Sequence, residues 1–253
     1  MRTLRLVLEY DGTGLVGWQR QPHGPSVQAA LEEAFQRLTG ESPRLRAAGR
    51  TDAGVHALGQ VVSLQLASPL PLERLLGGLN AYLPPAIAVR EVHEVPQGFD
   101  ARHSASGKMY RYQVWNGRVR SPLRAATHWH VRQPLDRVAM RQAAAQLVGR
   151  HDFRAFRAAD CERRTTVRWV RRLEVLDVVG EPEALHIEVE ATAFLKHMVR
   201  ILVGTLVEVG RGRRSVAEVA ELLRSGDRTR AGPTAPAHGL ILCRVDYGER
   251  TGY

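Results

Sequence analysis

One acidic residue lies in a loop of small residues that also carries basic side chains. The segment Gly49–Ala57 reads Gly-Arg-Thr-Asp-Ala-Gly-Val-His-Ala, so Asp52 lies between two glycines and near Arg50 and His56. At its ordinary pKa of about 3.9 an aspartate is ionised at neutral pH and can act as a nucleophile or a base. An aspartate in such a loop can equally form a turn in which it accepts backbone N–H bonds. The loop alone leaves both interpretations open.

A second loop matches a nucleotide-binding pattern by its letters. Residues 12–17 read Gly-Thr-Gly-Leu-Val-Gly after a predicted strand. In dinucleotide-binding folds a helix begins there at once, so that its N-terminus faces the pyrophosphate. Here Pro22 and Pro25 intervene, and the next helix can begin only at about Ser26. We therefore reject a dinucleotide site and expect this loop to contact RNA backbone or bases through Trp18, Gln19 and Arg20.

Metal and serine chemistry find no support in the sequence. His128 and His130 share one face of a predicted strand, but a zinc site needs three or four convergent ligands and no third lies nearby. Cys161 and Cys243 lack Cys-x-x-Cys spacing, and there is no Gly-x-Ser-x-Gly elbow. We predict no metal site, no serine nucleophile and no disulfide framework.

The charge of the chain points to an anionic partner. The 253 residues carry a formal net charge of +10, and all but two of the 36 basic residues are arginine, the lysines being Lys108 and Lys196. Guanidinium groups bind phosphate bidentately and stack on bases, so nucleic acid is the favoured partner. Codon bias or thermal adaptation would produce a similar composition. The candidates for phosphate contacts are Arg154, Arg157, Arg163, Arg164, Arg168, Arg171 and Arg172.

Composition also limits the class of protein. A hydrophobic content of 44% excludes disorder, because that much apolar surface can offset the entropy of folding. No apolar run approaches the roughly 18 residues that a membrane helix requires. The N-terminus alternates like a strand and lacks the apolar block of a signal peptide, so we expect a cytoplasmic protein.

The elements that must position these residues repeat one outline twice. The first half reads as strand 3–10, a helix from Ser26 to Gly40, strands 44–49 and 59–66, helix 72–83 and strand 87–95. The second half reads as strands 108–115 and 128–132, helix 135–148, strands 165–178 and 185–191, helices 195–209 and 216–223, and strand 240–247. We predict two α+β halves, 1–105 with the Asp52 loop and 106–253.

Six segments, in chain order, resemble the tRNA pseudouridine synthase A family. The Arg50–Ala57 loop looks like its catalytic motif, and Ala155 stands where that family more commonly has serine. The resembling segments are Tyr10–Thr13 with Gly17–Gln21, Phe99–Ala105, Lys108–Tyr112, His151–Phe153, Phe194–Arg200 continuing through Gly204–Leu206, and Ala231–Pro236 before Gly239.

The resemblance implies a fold and a reaction. The fold is the α+β pseudouridine synthase fold, in which two similar halves share an extended, mainly antiparallel central sheet flanked by helices. The reaction is isomerisation of uridine to pseudouridine in the anticodon stem-loop, at tRNA positions 38, 39 and 40. No cofactor is expected, because substrate and product have the same formula. Family members are homodimers that bind tRNA with both subunits.

The resemblance also implies roles for four residues. Asp52 is the catalytic residue, attacking ribose C1′, adding to uracil C6 or removing a ribose proton, and the sequence leaves these routes open. Arg200 is the cation that keeps Asp52 ionised. Tyr110 stacks on the flipped uracil, whereas Tyr112, two residues later on the same face, can be a core residue. Arg50 then engages the RNA backbone or holds the flipped nucleotide.

Two other functions fit parts of the sequence. A tRNA-binding or RNA-chaperone module without chemistry would have the same basic charge and α+β outline. It gives no reason for combining the Asp52 loop with Tyr110 and Arg200. A pseudouridine synthase of different RNA specificity would share the chemistry and differ only in the RNA that it reads.

Overall fold

The computed structural model describes residues 1–248, which divide into two compact units. The first unit comprises Met1–Ser106 together with the segment that begins at Ile241, and the second comprises Gly107–Leu240. The sequence alone assigned everything after residue 105 to the second half. The last strand differs because it pairs in parallel with a strand of the first unit, Ile241 opposite His56 and Leu242 opposite Ala57.

The first unit is a sheet with two helices. Its elements are β1 (Arg2–Tyr10), α1 (Val27–Thr39), β2 (Arg46–Ala47), β3 (His56–Leu66), α2 (Leu72–Tyr82) and β4 (Ile87–Val95), completed by the last strand, β10 (Leu240–Asp246). The strand order is β4-β1-β3-β10, and β2 pairs with β3. Ser26 caps α1 by accepting a bond from the Ala29 N–H, and Gly40 ends it with a left-handed φ of 74°.

The two faces of this sheet are covered differently. On one face the alternating Leu4, Leu6 and Leu8 of β1 have no exposed surface. On the other, Ala48, Val61 and Ala101 form a small cluster, against which Val7, Phe99, Val245 and Tyr247 pack. Because residues of β3 also alternate, its two faces contribute to different clusters.

The second unit is also an α+β arrangement. Its elements are β5 (Gly107–Trp115), β6 (Trp129–His130), α3 (Arg137–Ala145), β7 (Gly149–Asp152), β8 (Val167–Val178), β9 (Glu181–Ala191), α4 (Met198–Gly210) and α5 (Val216–Ser225). The strand order is β5-β9-β8-β7, all antiparallel, and β6 runs parallel to β5. Helix α4 packs against α3 and is buried along nearly its whole length.

The α+β class and the mainly antiparallel pairing are confirmed. Each strongly periodic segment formed the predicted element, because one apolar face of each had to be buried. Strand β7 was not predicted, since four residues are too few to show a period. The predicted strand 44–49 pairs only over Arg46–Ala47, and the predicted helix beginning at 195 starts at Met198 instead.

Candidate active site

The Asp52 loop connects β2 to β3, and buried hydrogen bonds hold its backbone. The hydroxyls of Tyr10 and Thr51 lie 2.8 Å apart. The amide of Gln60 donates to the Gly49 carbonyl at 2.8 Å and to the Tyr10 hydroxyl at 3.3 Å. Burial raises the pKa of Tyr10 to about 12 against the opposing effect of these bonds, so its phenol keeps its proton. The hydrogen bonds of Tyr10, Thr51 and Gln60 therefore fix the position of the loop.

The glycine-rich loop 12–17 docks on the Asp52 loop from the other side. The N–H of Trp18 donates to the Thr51 carbonyl at 3.1 Å. A Cβ added at Gly12 would lie 2.3 Å from the Val55 oxygen, and one at Gly17 would lie 2.6 Å from the Thr51 oxygen. Both distances are far inside contact, so only glycine permits this approach. The glycines that imitate a nucleotide-binding motif serve instead to pack two backbones together.

Asp52 is more exposed than Thr51, the residue before it in the loop. Asp52 is partly exposed and Arg50 is exposed, whereas Thr51 between them is buried. The N–H of Val55 donates to the Asp52 carbonyl at 3.1 Å and closes the turn. The structure thus combines a rigid backbone with a carboxylate that a substrate can approach, the arrangement that preorganised chemistry needs.

A buried histidine joins the same two loops. The Nδ1 atom of His56 lies 3.0 Å from both the Gly12 nitrogen and the Asp11 carboxylate. The Gly12 N–H requires a lone pair on Nδ1, while an ion pair to Asp11 would require a proton there. Because the Gly12 N–H is buried and Asp11 is well solvated, we assign the lone pair to Nδ1. His56 then acts as an acceptor that fixes the start of the glycine-rich loop.

The two tyrosines of β5 have different surroundings in the second unit. Tyr112 has no exposed surface, and its hydroxyl donates to the Pro236 carbonyl at 2.7 Å. Tyr110 retains 8% exposure and meets the ring of Phe194 edge-on, with centroids 5.1 Å apart. Both rings have an edge-on aromatic neighbour, Trp129 in the case of Tyr112. Tyr112 is therefore a fully buried core residue, and Tyr110 is the one of the two that keeps some exposed surface.

Arg200 lies in the first turn of α4. Its Nε donates to the Ala235 carbonyl at 2.7 Å, and the Ala235 N–H donates to the Arg200 carbonyl at 3.0 Å. Before it, His197 takes a left-handed φ of 60°, which is uncommon for a side-chain-bearing residue. A cation at a helix N-terminus opposes the helix dipole, so helix stability does not explain it. The position suits an anionic partner.

The segment Ala231–Pro236 holds α4 and Arg200 in place. The Gly232 N–H donates to the Thr205 hydroxyl at 3.0 Å. A Cβ at Gly204 would lie 1.8 Å from the Pro233 oxygen, so this segment crosses the helix in direct backbone contact. Two of the resembling segments of the sequence are thereby explained as one packed unit.

The four predicted site residues divide equally between the units. Asp52 and Arg50 share one loop of the first unit, and Tyr110 and Arg200 belong to the second. The sequence missed the supporting partners, since they are 11 to 41 residues away from the groups that they hold. They are Tyr10 and Gln60 for the Asp52 loop and Ala235 for Arg200.

The loop after Gly17 corrects one expectation. Trp18 is only 3% exposed and belongs to the core, so it is not a contact surface for RNA. Arg20 forms two bonds with Glu32, at 2.9 and 2.7 Å. Of the basic residues named for phosphate contacts, three also pair with carboxylates: Arg154 with Asp152, Arg171 with Glu190, and Arg172 with Glu174 and Glu188.

Two further kinds of feature are absent from the part of the chain that the structure describes. It holds no group of three or more His, Cys, Asp or Glu side chains that could bind a metal ion. None of its helices is long and apolar enough to cross a membrane.

Comparison with known proteins decides the family. A family model described as tRNA pseudouridine synthase matches residues 6–104 and 143–248, which include Asp52 and Arg200. The chain belongs to the tRNA pseudouridine synthase family. The chain is 56% identical to "tRNA pseudouridine synthase A" of Myxococcus xanthus, over 98% of this chain and 93% of that protein. It is 49% identical to the protein of the same name from Geobacter sulfurreducens, over 98% of this chain and all of the relative.

Among solved structures the likeness is weak. A chain of the "Crystal Structure of a Cbf5-Nop10-Gar1 Complex" matches with a TM-score of 0.36 and 14% identity, over 94% of this chain and 48% of that chain. The family assignment therefore depends on the sequence comparisons.

Proposed function

We propose that this member of the family isomerises uridine to pseudouridine in the anticodon stem-loop of tRNA, at positions 38, 39 and 40, with Asp52 as the catalytic residue. The observation that carries the proposal is the Asp52 loop. Two sets of backbone and side-chain contacts fix it, yet leave Asp52 itself partly exposed. A loop with only a structural turn would not need such support.

The carboxylate of Asp52 acts on the sugar or on the base. It attacks ribose C1′, adds to uracil C6, or removes a ribose proton to open a glycal route. In each case the glycosidic bond breaks at N1, the uracil turns, and a bond from C1′ to C5 forms. The Asp52 carboxylate is regenerated, the C5 proton is released and N1 takes up a proton, so uridine and pseudouridine have the same formula and no cofactor takes part.

Arg200 is proposed as the cation that keeps Asp52 ionised. Its place at the positive end of α4 supports an anion-binding role, because both the guanidinium and the helix dipole attract a negative group. Arg50, exposed in the same loop as Asp52, is proposed to engage the RNA backbone or hold the flipped nucleotide.

Tyr110 is proposed as the surface on which the target base stacks. A uridine inside a stem must be flipped out, which costs a few kcal/mol, and an aromatic face contributes about 1–3 kcal/mol per stacked base. The edge-on contact with Phe194 supports this role because it holds the ring in one orientation.

The proposed substrate also indicates the binding partner and the cellular location of the protein. We infer that tRNA is the partner, since the net charge of +10 favours a polyanion. Homodimerisation and a cytoplasmic location remain proposals that follow from the family resemblance.

Release of tritium from tRNA labelled at uridine C5 tests the proposal. We expect release by the wild-type chain without added cofactor or metal. Asp52→Asn should reduce the rate by at least about 10³-fold while tRNA affinity stays within a few-fold, because the substitution removes only the reactive carboxylate. Glu33→Gln, at an exposed position of α1, is the matched control and should retain the wild-type rate. Binding of tRNA without release by the wild type would favour the non-catalytic module.

A further inference from the structure

Two neighbouring grooves of the second unit lie outside the proposed active site. One has a volume of about 530 Å³ and is lined by Asn116, Arg118, Arg132 and Arg137 among others. The second has a volume of about 290 Å³, and its lining includes Trp115, Arg120, Arg124 and His128. We call the two grooves together the 115–137 surface.

The charge of the 115–137 surface is only partly compensated. Arg124 pairs with Glu181, and Arg137 pairs with Asp177. Within residues 1–248 no carboxylate lies within ion-pair distance of the other three arginines, Arg118, Arg120 and Arg132, all of which are exposed. Each of these three arginines therefore carries a positive charge that is not offset by a carboxylate of the described residues, and such a charge attracts an anion.

The backbone that carries these arginines is rigidly held. The amide of Asn116 donates to the carbonyls of Val131 and Gln133 at 2.7 and 2.8 Å. The indole N–H of Trp115 donates to the Val119 carbonyl at 2.9 Å. The Asn116 bonds tie the end of β5 to the segment after β6, and the Trp115 bond holds the loop that directly follows β5. A surface held in one conformation loses little entropy when it binds a partner, as a binding site requires.

One side of the surface also presents an aromatic face. The guanidinium of Arg124 lies 4.6 Å from the centre of the Trp115 ring. Arginine and tryptophan together form a groove suited to phosphate and to the flat face of a base. His128 in the same groove adds no charge at neutral pH, because its burial lowers its pKa to about 4. The positive charge therefore comes from arginine alone.

The surface lies well away from Tyr110. Asn116 directly follows β5 and lies six positions after Tyr110, which corresponds to about 20 Å at 3.3–3.4 Å per residue. That distance is too great for one nucleotide to bridge. An anion bound at the 115–137 surface would therefore belong to a different nucleotide from the one at Tyr110.

We propose that the 115–137 surface binds the phosphate backbone of the substrate RNA outside the stem-loop that carries the target uridine. The three uncompensated arginines are divided between two grooves, which matches a chain of phosphates better than a single phosphate ion. The proposal rests on the proposed function for its choice of RNA. Its consequence is a preference for whole tRNA over the isolated anticodon stem-loop.

The test compares one triple variant with a matched control. Arg118→Ala/Arg120→Ala/Arg132→Ala removes three charges from the surface, and Arg37→Ala/Arg74→Ala/Arg224→Ala removes three from helices α1, α2 and α5. Binding of whole tRNA and of its isolated anticodon stem-loop is measured over a range of salt concentrations. Tritium release is measured on both RNAs.

We expect the surface variant to bind whole tRNA at least about tenfold more weakly than the control, with a salt slope smaller by about 2–3. Its turnover of the stem-loop should match that of the control, which also shows that it is folded. Equal tRNA binding by the two variants would overturn the proposal. So would an equal loss on the stem-loop, or a change in oligomeric mass, which would identify an interface between copies. Absence of tritium release by the wild type, with the binding difference intact, would contradict only the proposed function.

Discussion

At the scale of single residues, the Tyr10 hydroxyl has the clearest effect on the position of Asp52. It is buried and bonded to Thr51 and Gln60, so it supports the loop without being able to reach substrate. We expect Tyr10→Phe to lower the free energy of unfolding by about 1–2 kcal/mol, because two buried polar groups lose a partner. Turnover should fall while tRNA affinity stays near the wild-type value.

Urea unfolding and single-turnover kinetics measure this effect. Tyr82→Phe is the control, because Tyr82 is 44% exposed and its ring contact with Arg37 survives the change. A Tyr10→Phe variant with lower stability but unchanged turnover at a temperature where it is folded would show that the hydroxyl does not position Asp52.

Substitutions at the two tyrosines of β5 distinguish a role in base stacking from a role in core packing. Tyr110→Phe keeps the aromatic face and the contact with Phe194, whereas Tyr110→Leu removes both. We expect the leucine variant to lose at least tenfold in kcat/KM, consistent with about 1–3 kcal/mol of stacking. Tyr112→Phe should instead lower stability, by removing the bond to Pro236, and leave kcat/KM within a few-fold. Equal kinetic losses in the leucine variant and in Tyr112→Phe would argue against stacking at Tyr110.

At the scale of elements, the contact between the two loops depends on glycine. Gly12→Ala and Gly17→Ala would each place a Cβ within 2.3–2.6 Å of a backbone oxygen of the Asp52 loop. We expect each to cost several kcal/mol or to displace that loop, since backbone cannot move aside as a side chain can. Activity should fall by 10²-fold or more.

Gly14→Ala is the matched control for this prediction. Gly14 also has a positive φ, of 76°, but nothing lies within 4 Å of the added Cβ. Backbone strain alone should cost about 1 kcal/mol and leave turnover nearly unchanged. Thermal unfolding and tritium release distinguish the cases, and a loss at Gly14 as large as that at Gly17, which also has a positive φ, would mean that backbone strain and not loop contact is responsible at Gly17.

At the scale of the whole molecule, a half-buried histidine makes global stability sensitive to acid. Burial lowers the pKa of His128 to about 4, and the charges of Arg124, His186 and His238 act in the same direction, against Glu181. The unfolded chain would protonate this histidine near pH 6.5. Its contribution to stability is therefore complete above pH 6.5 and is lost as the pH falls toward 4.

We expect His128→Gln to remove about 1–2 kcal/mol of the stability lost between pH 6.5 and 4, after allowance for solvent screening. Unfolding by urea at a series of pH values measures it, with the exposed His23→Gln as the control. Parallel pH profiles for wild type and His128→Gln would contradict the prediction.

Across the whole molecule, the sequence predicted the features that depend on neighbouring residues. Alternating residues such as Leu4, Leu6 and Leu8 predicted strands, and Ser26 with Gly40 predicted both ends of α1, because periodicity and caps act over a few residues. The sequence also identified Asp52 as the candidate catalytic residue, through motif resemblance. These properties are local, and the chain determines them before any long-range contact forms.

Tertiary structure decided what depended on residues far apart in the chain. Nothing local distinguishes Tyr110 from Tyr112, and contacts with residues far along the chain, such as Trp129 and Pro236, make the second a core residue. The purpose of Gly12 and Gly17 became clear only from the loop that they meet some 40 residues later. The last strand joined the first unit because its backbone pairs with β3. Sequence periodicity determined which faces must be buried, and three-dimensional packing determined what each face is buried against.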